Sequence, residues 1–63
     1  MDAPEARRLL LSTARAAAMM RCDWWEWERF APMEAMHTLP ERELDAIVAL
    51  VWGAKRRENQ LPH

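Results

Sequence analysis

An all-α fold follows from three observations on this sequence. Its composition is dominated by alanine, leucine, arginine, glutamate and methionine, all favourable in helices. It has one glycine and few β-branched residues (Thr13, Thr38, Ile47, Val48 and Val51), so a sheet has little to build from. Its apolar residues recur at helical spacing between capping and breaking signals. Together they predict a three-helix hairpin or bundle, with helices over about residues 3–21, 23–37 (broken at Pro32) and 39–58. The whole chain, 1–63, reads as one small domain with a frayed tail from about residue 59.

The first helix is expected to open on Asp2, whose carboxylate can cap free amides, with Pro4 in the first turn and Glu5 favourable to the helix dipole. At 100° per residue, Ala6, Leu9, Leu10, Thr13, Ala14, Ala16, Ala17 and Met20 share a face, opposite Arg7, Arg8, Ser12 and Arg15. The alanines on the apolar side allow close approach of a second helix. After Cys22, Asp23 and Glu26 form a capping box that opens a second helix. There Trp24, Trp27, Phe30 and Ala31 share a face, while Trp25 points away from it. Pro32 disfavours helix at Ala31, and a short helical turn to about His37 follows. Thr38 and Glu41 read as a further capping box with Pro40 in the first turn, introducing a stripe of Leu44, Ile47, Val48, Leu50, Val51 and Ala54.

A chain of 63 residues buries little surface. Ordering entropy of about 1.5 kcal/mol per residue set against burial at about 25 cal/mol per Å² ends near zero at this size. Some further stabilisation is expected. Cys22 is the single cysteine, so a disulfide cannot supply it, and no spacing motif offers a zinc site. Association remains, as a homodimer or against a partner. The lone cysteine and the lack of a signal peptide or membrane span give an expectation of a soluble cytoplasmic protein with no membrane partner.

Nine basic residues against ten acidic ones leave the net charge near zero, which argues against a dedicated nucleic-acid clamp. The distribution is uneven: the first third is basic, residues 23–45 are mostly acidic, and Lys55-Arg56-Arg57 is a basic cluster. That cluster has two readings, contact with phosphate or an acidic partner, and complementing the dipole at a helix end.

Catalysis finds little support. Ser12 lies on a polar face with neither histidine placed to serve it, and Glu26 and Glu28 fall on different helix faces. A metal site from Cys22, His37 and His63 would need three distant positions to converge. No catalytic residue, metal or cofactor is expected. The unusual feature is four tryptophans, three of them in residues 24–27. Trp24 and Trp27 read as core. Trp25, at i+4 from Arg21 and i−4 from Arg29, suits a surface aromatic with cation–π neighbours or an interface anchor. Trp52 fits either role. Met19, Met33 and Met36 offer adaptable apolar contacts, and Leu11, Met19 and Trp25 together are expected to leave exposed apolar surface. The expected partner-binding set is therefore Trp25, Met19, Leu11, Trp52, Met33 and Met36.

Leu39, the Arg42-Glu43 pair, Asp45, the apolar positions Leu44, Ile47, Val48, Leu50 and Val51, and Gly53 resemble the opening of a LuxR-type helix-turn-helix. Such a likeness implies transcription regulation. No Ser/Thr-Asn pair follows Gly53 and no recognition helix can follow in this sequence, so it points to pairing with a regulator more than to DNA reading. Arg21-Cys22, Leu39 and Glu43-Leu44 are similar in spacing to the Hha family of small helical modulators, which work by binding a nucleoid protein. The function expected is a small bacterial or phage regulator, adaptor, inhibitor or anti-activator that occludes a partner protein and self-associates. The alternatives are a DNA-binding helix-turn-helix-like regulator and a small structural subunit of a larger complex.

Overall fold

The computed structural model describes residues 1–56, which form four helices and no strand: α1 (Ala3–Met19), α2 (Trp24–Phe30), α3 (Met33–Thr38) and α4 (Glu41–Trp52). The all-α expectation agrees with this; the three-helix count does not. Pro32 holds Ala31 at an extended ψ of 151°, outside the helical region, and so divides the middle segment into two separate helices.

α1 opens as its sequence dictates. The Asp2 carboxylate accepts the Glu5 backbone N–H at 2.9 Å, and Pro4 occupies the first turn. It closes two residues before the expected position at 21. Met20 caps it, and Arg21 takes a left-handed conformation with φ of 66°. Arg21 N–H donates to the Ala18 carbonyl at 3.0 Å and Cys22 N–H to the Ala17 carbonyl at 2.9 Å, the two bonds of a Schellman turn. Glycine is the usual residue at that position; here it is an arginine.

α2 opens on the expected box residues, with the Glu26 carboxylate accepting the Asp23 backbone N–H at 2.8 Å. The expected Thr38–Glu41 capping box is not formed. Thr38 is the last residue of α3, and its hydroxyl donates back to the Glu34 carbonyl at 2.7 Å. Pro40 keeps Leu39, which is buried in the core, in an extended conformation and is itself the residue from which α4 starts. α4 ends at Trp52 and not near residue 58, because Gly53 enters the left-handed region at φ 65° while its N–H donates to the Ala49 carbonyl. The expected fraying from residue 59, and Arg57 in the basic cluster, lie outside the described residues.

Every other helix packs against α1. Its Ala6, Leu10, Ala14 and Ala17 meet Trp24 and Trp27 of α2, Ala35 of α3 and Leu44, Ile47 and Val48 of α4 in one buried cluster. Small residues on α1 let its neighbours approach closely, and two indoles then fill most of the space between. Ala16, Met20 and Phe30 were expected on buried faces and are exposed: Ala16 and Phe30 sit at the edges of their stripes, and Met20 is the C-cap residue just beyond the end of α1. Leu11 departs in the other direction and packs partly buried against the core.

Candidate functional site

Two of the four tryptophans organise the interior. Trp27 is fully buried, and its indole N–H donates to the Thr13 hydroxyl at 3.1 Å, which donates onward to the Leu10 carbonyl at 3.1 Å. Its ring lies 5.5 Å from that of Trp52 at a tilt of 43°. The Trp52 N–H donates to the Cys22 carbonyl at 2.9 Å and so ties the end of α4 to the turn after α1. Trp52 and Met36, both named as contact residues from the sequence, are thus packed against the core with only part of their surface outward. Trp24 is buried as expected, but its Nε1 is enclosed without an acceptor among the described residues.

Trp25 is half exposed, at 52 %, and stands edge-on to Trp24 with ring centroids 5.5 Å apart. The expected flanking by Arg21 and Arg29 is not realised. Arg21 sits in the turn before α2, so helical i−4 geometry does not apply to it, and among the described residues Trp24 is the ring contact that Trp25 has. Met19, at 84 % exposure, and Met33 lie outside as expected. Phe30 and Leu50, which the sequence placed with the core, join them. The signal for Leu50 was present: the α4 stripe from Leu50 to Val48 spans roughly 160° at helical periodicity, wider than the face one neighbour covers.

A depression runs along the outer surface between α1 and α4. Arg7 meets Glu43 at the start of α4, Leu11 adjoins Ile47 and Leu50, and Ala18 and Met19 adjoin Leu50 and Val51, so α1 and α4 run in the same direction side by side. The groove between them consists of two hollows of about 240 and 400 Å³ that share Leu50.

The charges are arranged unequally. Arg56, expected from the sequence on the polar side of a helical last turn, is 7 % exposed and lies beyond α4. Its guanidinium donates to both Glu28 oxygens at 2.5 and 3.1 Å, and to Glu41 and Asp45 at 2.8 and 2.9 Å. These carboxylates raise its pKa, the Glu28 hydrogen bond most of all, against the opposing effect of burial. The left-handed Gly53 makes this possible by turning the chain back over α2 and α4. Arg7 donates to Glu43 at 2.7 Å, which lowers the Glu43 carboxyl below its ordinary value and raises that of Arg7. By contrast Arg8, Arg15, Arg21, Arg29 and Arg42 make no ion pair among the described residues.

Ser12 and His37 are both exposed, on α1 and α3. Among the described residues no three metal-ligating side chains converge, and no helix is long and apolar enough to cross a membrane. The chain matches no protein-family model, no curated protein and no solved structure.

Proposed function

We propose that this protein is a non-catalytic binding module that docks exposed apolar side chains onto another protein and acts by covering part of it. The observation that supports the reading is that Trp25, Met19, Met33 and Leu50 remain outside although the chain already closes a core around Trp27. Large apolar side chains in that position lower the free energy only when another surface covers them, and tryptophan is the residue most enriched where binding energy concentrates. Transcription regulators are a fitting class of partner, in line with the helix-turn-helix likeness of residues 39–58. A nucleic-acid role has less to draw on, because Arg56, central to the basic cluster that suggested it, is held by three carboxylates.

The test is capture from lysate with the full chain, beside Trp25→Ala and Met19→Ala, joined to mass determination in solution across concentration. A partner retained by the wild type and lost with Trp25→Ala is the expected result. Failure to retain any protein, together with a monomeric mass at every concentration, would remove the reading.

A further inference from the structure

The groove between α1 and α4 is apolar along its floor; the Arg7–Glu43 ion pair spans one end of it, and arginines that make no ion pair among the described residues flank the rest. Leu11, Ala46 and Leu50 form the floor, and Arg15 stands on the α1 side. Arg42 lines the adjoining depression with Asp45 and Ala46, one turn before Ala46 on α4, and so flanks the groove from that side. From Arg7 to Met19 the groove runs roughly 18 Å, the length of three to four helical turns. We propose that it binds an acidic amphipathic helix of another protein, with that helix's apolar stripe on Leu11, Ala46 and Leu50 and its carboxylates on Arg15 and Arg42. This rests on the protein-binding reading above and specifies the surface used and the chemistry of the partner.

Charge complementarity selects the occupant. The chain is close to neutral, yet Glu28, Glu34, Glu41, Glu43 and Asp45 are all held in ion pairs, while Arg8, Arg15 and Arg42 are not. A second copy of the chain would bring the same unpaired arginines to the groove, with most of its carboxylates already committed, so self-association does not neutralise this rim. Nucleic acid would satisfy the arginines and leave Leu11 and Leu50 against a polar backbone. A helix carrying leucines at i, i+4 and i+7 with flanking glutamates satisfies both features at once.

The test uses a fluorescently labelled synthetic peptide of about 14 residues with that pattern, titrated with the full chain and followed by anisotropy. Controls are a face-scrambled peptide, a peptide with lysine in place of glutamate, and a DNA duplex. We expect the acidic amphipathic peptide to bind at least about tenfold more tightly than either control peptide. Leu50→Asp and Arg15→Glu should each weaken it by about tenfold or more with the melting temperature unchanged. Ala46→Glu, on the same exposed floor, replaces Leu50→Asp if that variant does not fold. Equal binding of the scrambled or basic peptide, no binding of the acidic one, or variants that bind like the wild type would overturn the proposal. So would tighter binding of the duplex that Leu50→Asp leaves intact. If Leu50→Asp still captures from lysate whatever the wild type captures, protein binding stands and the groove is not its site.

Discussion

Arg56 and Glu28 are separated by 28 positions in sequence and meet through two parallel hydrogen bonds, with Glu41 and Asp45 closing on the same guanidinium. One side chain beyond the last helix therefore fastens α2 to α4, two elements whose main packing is with α1 and not with each other. Arg56→Met removes the guanidinium that Glu28, Glu41 and Asp45 share. Breaking a buried pair costs about 3–5 kcal/mol. Glu41 retains contact with solvent, which reduces the expected loss here to about 2–3 kcal/mol. Arg56→Lys should recover only part of it, because an ammonium cannot reproduce the two-pronged contact with Glu28. Chemical denaturation of the three proteins measures the ordering; equal stabilities would show that the cluster is inert.

Trp27 and Trp24 should respond differently to the same change. Trp27→Phe removes buried volume and the hydrogen bond to Thr13, leaving that hydroxyl without its donor, for an expected loss of about 2–4 kcal/mol. Trp24→Phe removes similar volume and also the enclosed N–H that has no acceptor among the described residues, so part of its loss is offset and it should cost at least about 1 kcal/mol less. Thermal melts of both variants decide it, and a larger loss at Trp24 contradicts the assignment.

Two left-handed residues set the helix ends, and they carry opposite side chains for the job. Arg21→Gly should stabilise the protein by about 1 kcal/mol, since glycine adopts that conformation without the steric penalty of a Cβ. Gly53→Ala should destabilise it by about the same amount through backbone conformation, because an added Cβ there meets no atom of the described residues within 4 Å. In a domain of this size either change moves the melting temperature by roughly 4–8 °C, upward for the first and downward for the second.

The Arg7–Glu43 pair gives a pH dependence of known sign. The folded protein holds the Glu43 carboxyl below its ordinary value, chiefly through the hydrogen bond from Arg7. Its contribution is therefore complete above the ordinary glutamate range and is lost as pH falls through the lowered value. Wild type and Glu43→Gln should differ most in melting temperature near neutrality and converge below about pH 4. The pair is solvent-exposed, so the difference should be small and should shrink further in high salt.

What the sequence alone determined was local. The Asp2 cap, the Asp23–Glu26 box, the break at Pro32 and the Ala6, Leu10, Ala14 and Ala17 part of the α1 stripe each depend on residues within a few positions of one another, and each is present as read. Wherever an outcome depended on how much surface a neighbouring helix covers, only the tertiary structure decided it. Leu50 and Phe30 lie at stripe edges that the neighbouring helices leave mostly uncovered, Leu11 is drawn toward the core beside Ile47, and Trp52 finds both Trp27 and the Cys22 carbonyl. Arg56 shows the limit most plainly. In a continued helix its side chain would have faced water, and the left-handed turn at Gly53 carries it instead onto three carboxylates spread over residues 28–45, a convergence that no pattern of nearby residues encodes.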